Sequence, residues 1–436
     1  MKVVVQYLPP FLARLALAVA ALLAIIPTLN MFARGGGSIA FYVAVLLALA
    51  LCAIPAVRQS AAGIFRRDYF AFCLAMMLPL AGVLLSQAAT DGWAASDVER
   101  ALRLGPSVCL LLYALLRVEE RDLQKVVPIV MLAGLMGAGY VITLALQDPG
   151  RPQTRAYNAV GYANLLMLFG AFALYSLKIR FTAWHRMEAV AKMGVTCLAL
   201  FAVVLTQTRS TWIAFPVFCA IGVVLFLPRL RAWRVLAAVV AVSVTAAVVV
   251  FSDAELRDRA DLAQQEIHEC AVKQYPVNSS TCIRFQLWRA GWIMFQNDPW
   301  FGNGNGKRFA ENLQSMRERG LVSDYVAQEF REPHNDVVMA LASYGVLGLV
   351  GVLSIYIVPA VMFARRLRRF GEHSARAAAA MGLALCVGFV IFGQMELMFR
   401  SMRTVSMYAA MIALFLALSH PLAAKRSAIQ AVPAKR

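Results

Sequence analysis

Apolar residues along this chain are concentrated in blocks of roughly 20, the length that a helix needs to cross about 30 Å of hydrocarbon. Short polar or charged segments separate the blocks. The pattern predicts an all-α, polytopic integral membrane protein with about twelve transmembrane helices. The expected spans lie near residues 9–32, 37–57, 69–89, 101–117, 123–146, 158–178, 189–208, 211–228, 233–252, 335–364, 377–398 and 403–422.

One polar stretch, residues 253–333, is too long for a connector and is expected to fold as a helical domain of its own. Helical spacing predicts helices over Asp253–Ile267, Arg284–Phe295 and Phe309–Arg319, and the Gly-rich run Gly302–Gly306 predicts a turn. The expected organisation is helices 1–9 in residues 1–252, the loop domain in 253–333, helices 10–12 in 334–424 and a tail in 425–436.

The composition supports a membrane protein. The 436 residues are 61% hydrophobic and only 15% charged, whereas a soluble protein carries about 25% charge. The net charge of +18 could suit a nucleic-acid binder, but nucleic-acid-binding motifs are absent. The basic residues instead cluster in alternate short loops, which predicts that both termini are cytoplasmic and that the loop domain is periplasmic.

Two of the eight cysteines, Cys270 and Cys282, lie in the loop domain, whereas the other six lie inside predicted spans. In an oxidising compartment the two can pair, so we expect a disulfide there, with two free thiols as the alternative. No C-x-x-C or paired-His motif predicts a metal site. The pair Asp97 and Glu99 could ligate a divalent cation, but Ser96 and Glu99 also form a capping box, which we favour.

His334 is the most suitable of the five histidines for chemistry. It opens the tenth predicted span as Pro-His-Asn-Asp, at the periplasmic membrane boundary. A group with an ordinary pKa of about 6.5 can accept a proton at neutral pH, so His334 is a candidate general base. The alternative is a residue at a helix N-terminus, with Asn335 or Asp336 as its cap.

Arginines at membrane boundaries are the second chemical signal. Arg209 lies between two spans with almost no loop, where a charge is costly unless it faces a polar cavity or a ligand. Arg284 and Trp288 share one helix face, with Arg289 beside them. Guanidinium groups grip phosphate, so the pattern suits a polyprenyl-linked pyrophosphate. Contact with lipid headgroups is the alternative explanation, and it also covers Arg100, Arg103, Arg155, Arg400 and Arg403.

The order of the motifs resembles the O-antigen ligase/polymerase superfamily, and most closely its O-antigen ligases of lipopolysaccharide assembly. The resemblance covers about Thr206 to Gly348. Its motifs are Thr-Arg-Ser-Thr-Trp at a span junction, Arg284-x-x-x-Trp288, Asp298-Pro-Trp-Phe-Gly-Asn-Gly, His334-Asn, and Ser343-Tyr-Gly-Val-Leu-Gly348.

The resemblance implies a GT-C-like glycosyltransferase of the bacterial inner membrane that needs no cofactor, metal or nucleotide. Such an enzyme moves a glycan from an undecaprenyl-pyrophosphate-linked donor to the lipid A-core acceptor, with inversion. His334 would be the base, and Arg209 and Arg284 would hold the pyrophosphate. Secondary candidates for binding pyrophosphate or glycan are Trp288, Arg289, Arg155, Arg400, Trp212 and Asn335.

Three alternatives stay open. An O-antigen polymerase or a protein O-oligosaccharyltransferase would use the same donor with another acceptor. A polytopic transporter would also have many spans, but it should show charged or broken helices near the middle of the membrane. Here the conspicuous polar groups lie at the predicted periplasmic boundary.

Overall fold

A computed structural model describes residues 9–116, 118–148, 150–154, 156–227, 234, 237, 278–369 and 371–420. Within this part of the chain the regular structure is entirely helical. The helices before the gap are α1 Pro10–Phe32, α2 Gly36–Ala53, α3 Pro55–Thr90, α4 Ala95–Leu104, α5 Pro106–Leu115, α6 Glu120–Gln124, α7 Val127–Gln147, α8 Ala159–Tyr175, α9 His185–Leu205 and α10 Ala214–Phe226. Those after it are α11 Ser280–Asn297, α12 Arg308–Glu318, α13 Asp324–Glu329, α14 Asp336–Arg368, α15 His373–Phe392 and α16 Met402–Leu418.

Eight of the described helical segments are long and apolar enough to cross a membrane. Two shorter apolar segments, Ser210–Phe226 and Met402–Leu418, coincide with further predicted spans. The predicted span 101–117 is divided between α4 and α5, while 233–252 lies almost wholly outside the described residues. A multi-pass, all-α membrane protein is therefore confirmed, and the count of twelve spans stays a prediction.

The division between α4 and α5 follows from two residues. Pro106 begins α5, where its missing N–H costs no helical hydrogen bond. At Gly105, a side chain would lie 2.7 Å from the carbonyl oxygen of Met76, so only glycine allows this close approach to α3. The predicted single span is thus two short helices that meet at α3.

The second half of the loop domain was predicted closely. Helices α11 and α12 match the expected ones, and Gly302 and Gly304 adopt positive φ in the expected turn. Leu287 and Met294 of α11 pack with Phe309 of α12 in a small apolar core. The predicted helix over Asp253–Ile267 lies outside the described residues.

Helix α14 is not the straight span that the hydropathy predicts. Gly345 has φ +61° and ψ −148°, and the chain reverses there. Tyr356 donates a hydrogen bond to Asp336, at 2.8 Å, although twenty residues of straight helix would separate them by about 30 Å. The first arm of α14, Asp336–Tyr344, therefore folds back along its second arm, which begins at Val346.

The turn that follows α11 packs against the reversal and hydrogen-bonds to both arms of α14. Val346 donates to the carbonyl of Pro299 at 2.8 Å, and Asn303 and Gly304 donate to carbonyls of the first arm. Those bonds satisfy backbone groups that a broken helix would otherwise leave unpaired. A side chain at Gly345 would lie 2.5 Å from the Pro299 carbonyl oxygen, so the reversal requires glycine.

Candidate active site

The site is centred on the turn before α14, where His334 has a left-handed backbone (φ +49°). Such a conformation is uncommon for residues other than glycine, and it persists only where the surroundings fix it. Next to it, Asn335 caps α14 by accepting from Val337 and Val338 and donates to Gln394 at 3.1 Å. The buried Asn335 side chain therefore fixes the turn that carries His334, and its predicted part in binding substrate stays a prediction.

Glu396 faces the imidazole from the connection between α15 and α16. Its Oε1 lies 3.7 Å from His334 Nδ1, an ion-pair contact slightly longer than a hydrogen bond. Asn158, the N-cap residue of α8, donates to the other carboxylate oxygen at 3.4 Å. The carboxylate is thereby aimed at the imidazole, an arrangement that orients a general base.

A second carboxylate, that of Glu332, lies close to both groups, and Glu332, His334 and Glu396 together form the His334 cluster. Arg400 Nε lies 3.7 Å from its Oε2, and the Arg400 backbone carbonyl accepts from Arg100 at 3.2 Å. Glu332, His334 and Glu396 each offer a ligand atom within 4.8 Å of the other two, so they could hold a divalent cation. Arg400 would compete with such a cation for Glu332, because its guanidinium already lies beside that carboxylate.

The charges around the imidazole favour its protonated form. Glu396 raises the pKa of His334 above its ordinary value; Glu332 adds to this, and burial and Arg284 oppose it. Burial works to raise the pKa of Glu396, but His334, Asn158 and Arg284 outweigh it and lower that pKa. Burial raises the pKa of Glu332, against the effects of His334 and Arg400.

Helix α11 brings Arg284 to this cluster. Ser279 caps the helix, and Trp288, one turn after Arg284, donates its indole N–H to the Pro333 carbonyl at 3.1 Å. Trp288 therefore anchors α11 beside His334, and Arg284 is close enough for its charge to act on His334 and Glu396. Arg289 is exposed on another face of α11.

Arg209 lies on a separate turn, before a short 3-10 helix over Ser210–Ile213. Its side chain is exposed and makes no polar contact with any described residue. Arg151 braces this turn by donating to Thr208 at 3.3 Å. Trp212 is 38% exposed and stacks edge-on with Phe215. The structure thus leaves the guanidinium of Arg209 available, without joining it to the His334 cluster.

Three further sequence predictions concern a disulfide, Arg155 and a capping box at the start of α4. Cys282 takes part in a disulfide, while its expected partner Cys270 lies outside the described residues, as does Arg155. The predicted capping box is wrong: Ala94 is the N-cap of α4, without a side-chain cap.

Asp97 and Glu99 both pair with arginines rather than forming a cap. Asp97 pairs with Arg100, accepts from Tyr344 and accepts from the backbone of Gly306 at 3.0 Å. Glu99 pairs with Arg103. The contacts of Asp97 with Gly306 and Tyr344 tie α4 to the Gly-rich turn and to the first arm of α14.

The sequence reasoning missed Glu396, Glu332 and Arg151. A signal for Glu396 was available, because a carboxylate within a predicted span needs a partner. The predicted span 377–398 placed it inside the membrane, but α15 ends at Phe392 and Glu396 lies in the following turn. Together, a base, an orienting carboxylate and nearby arginines can accept a proton and bind an anionic leaving group.

Comparison with known proteins supports the resemblance noted from the motifs. Residues 194–353 match the family described as O-antigen ligase, Wzy_C. The matched segment contains Arg209, Arg284 and His334, whereas Glu396 and Arg400 lie beyond it. No curated protein matches the chain.

Proposed function

Because residues 194–353 match the O-antigen ligase family, we propose that this chain transfers O-antigen polysaccharide from undecaprenyl pyrophosphate to lipid A-core oligosaccharide. The reaction takes place at the periplasmic side of the bacterial inner membrane, and both termini are cytoplasmic. The observation that carries the proposal is the placement of His334 beside Glu396, within reach of the charge of Arg284, just before a broken helix in a multi-pass membrane protein.

In this mechanism His334 removes the proton from the acceptor hydroxyl. Its Nδ1 faces Glu396, so Nε2 is the nitrogen that meets the acceptor. The freed oxygen attacks the anomeric carbon, while the bond from that carbon to the pyrophosphate oxygen breaks with its electron pair. The proton stays on His334 until it passes to solvent. A single displacement of this GT-C-like kind inverts the anomeric centre.

Arginines take the charge of the departing pyrophosphate. Arg284 lies at the His334 cluster and Arg400 lies beside Glu332. We propose that the exposed Arg209 reaches the pyrophosphate from its separate turn. Fixed positive groups that meet charge as it develops stabilise the transition state. We propose that they replace a metal ion, because Arg400 already faces Glu332, one of the residues that a cation would need.

Transfer from purified lipid-linked glycan to purified lipid A-core tests the proposal. We expect His334→Ala and Arg284→Ala to lose at least about 100-fold in rate, the usual contribution of a general base or of one charge-stabilising donor. Arg289→Ala is the matched control, since it removes the neighbouring, exposed guanidinium of the same helix. Near-normal product from both site variants would overturn the assignment.

Changing the acceptor separates the related activities. A ligase needs lipid A-core, a polymerase needs a second lipid-linked glycan, and a protein O-oligosaccharyltransferase needs a polypeptide. Product formed only with lipid A-core supports the ligase. Product formed only with either other acceptor would identify the corresponding alternative and overturn this one.

A further inference from the structure

A cavity lies inside the fold-back of α14, next to the proposed site. Its walls come from both arms of α14, from α3 and α4, and from the segment that follows Glu396. The cavity has a volume of about 110 Å³. This is less than the roughly 300–1,000 Å³ that is usual for the site of a whole small-molecule ligand, so the cavity can hold only a short segment of a larger ligand.

The fold-back creates this space. The two helical arms contact each other near the reversal, and both line the cavity further from it. At Gly348 a side chain would lie 2.3 Å from the carbonyl oxygen of Ala340, so the arms touch there. Further along, Met339 on one arm and Val352 on the other line the cavity.

The cavity has a polar end and an apolar end. Arg100, Arg400 and Tyr344 line it near the Gly-rich turn, together with Asp97, which pairs with Arg100. Leu104 of α4 and Val352 and Ile355 of the second arm line the more apolar part, where the carboxylate of the buried Asp336 accepts from Tyr356. Ser343 also lines it; this residue is 1% exposed, and its hydroxyl has no hydrogen-bond partner among the described residues. A buried, unpaired hydroxyl facing a cavity indicates a polar ligand atom at that end.

The polar end is linked to the proposed site through Arg400. This side chain lines the cavity and also lies 3.7 Å from Glu332, whose carboxylate belongs to the His334 cluster. Leu397 and Phe399, which line the cavity, follow Glu396 directly in the chain. The cluster and the cavity therefore share Arg400 and adjoin along the segment that follows Glu396.

We propose that this cavity binds the first isoprene units of the polyprenyl chain of the lipid-linked donor, with the attached pyrophosphate at Arg400 and Ser343. The inference rests on the proposed function. Only the pyrophosphate separates the reacting sugar carbon of such a donor from its hydrocarbon chain, so the chain must begin beside the site. In the acceptor, by contrast, the whole core oligosaccharide separates the reacting hydroxyl from the acyl chains.

Substitution of Val352 by Phe would fill the apolar end. Val350→Phe is the matched control, because Val350 is on the same arm but 45% exposed, outside the cavity. With a long-chain donor we expect Val352→Phe to raise the donor KM by about tenfold, the lower range for a changed hydrophobic pocket. With a donor that carries a methyl group in place of the polyprenyl chain, the variant and the wild type should be equal, because no isoprene unit enters the cavity.

Two kinetic results would overturn this inference. An unchanged preference for long-chain donors in Val352→Phe would show that the chain binds elsewhere. A raised KM for lipid A-core, with the donor KM unchanged, would assign the cavity to an acyl chain of the acceptor. Neither result would affect the assignment of His334 and Arg284, which is tested separately.

A binding measurement needs no transfer and so does not depend on the reaction. A diazirine-bearing polyprenyl pyrophosphate without sugar should label peptides of α3, α4 or α14, the helices that line the cavity. Excess polyprenyl pyrophosphate should abolish the labelling, and excess phospholipid should not. Competition by phospholipid alone, or labelling confined to other helices, would overturn the proposal even if Val352→Phe fails to fold.

Discussion

Replacement of Glu396 by glutamine removes a charge from the His334 cluster while keeping the shape of the side chain. The two groups lie 3.7 Å apart and are 22% and 27% exposed. With an effective dielectric constant of about 20 to 80, their attraction is about 1 to 4.5 kcal/mol. A middle value of about 2 kcal/mol corresponds to a rate loss of roughly 30-fold. Because this attraction exists only when the imidazole is charged, kcat and kcat/KM should fall together.

The pH profile gives a second, independent measurement. A base works only while it is neutral, so the rate falls on the acid side as His334 becomes protonated. Glu396 raises the pKa of His334, and its removal should therefore move the acid limb to lower pH even as the plateau falls. The assay is the initial rate of transfer across the neutral range, with Glu318→Gln, an exposed position on α12, as the control.

A loss of less than about twofold would mean that the Coulomb attraction estimated above does not act on the reaction. An acid limb that stays in place, or that moves to higher pH, would mean that Glu396 does not act through His334. A purely structural effect of Glu396→Gln would lower the rate without moving the limb, and would refute the reasoning.

Three other predictions follow from the structure. Chelation of divalent cations should leave the rate of transfer unchanged. If transfer instead requires a divalent cation, and Glu332→Gln no longer responds to that cation, the Glu332–His334–Glu396 cluster binds a metal ion. Gly345→Ala should lower the melting temperature strongly, because a side chain there meets the Pro299 carbonyl at 2.5 Å and the backbone is left-handed; unchanged melting would refute the fold-back. Cys282→Ser should destabilise the protein by about 2–4 kcal/mol, whereas Cys197→Ser, at an exposed free thiol, should not.

The membrane character was predictable because it depends on block length and composition. Hydropathy does not show where a helix stops inside an apolar run. The prediction for 335–364 missed the reversal at Gly345, since Ser-Tyr-Gly-Val-Leu-Gly reads as continuous helix. The reversal depends on the turn from Pro299 to Gly304, which is distant along the chain from the first arm.

The candidate site was predictable only in part. His334 and Arg284 were identified from position and chemistry, and the structure brings them together. Glu396 and Glu332 were missed, and Arg400 was predicted only as a secondary binding residue, because no local pattern connects these residues to His334. Arg209 stays a prediction, since the structure leaves it exposed and apart from the cluster.

The folded-back arm of α14 also bears on how the protein is synthesised. Asp336 donates its backbone N–H to Gly393 and accepts from Met398 and Phe399, residues that are made about sixty positions later. The arm therefore has no partners for these groups until α15 has entered the membrane. The proposed site would be among the last parts of the protein to assemble, so a chain interrupted before Gly393 would insert most of its spans and still lack its base in a working position.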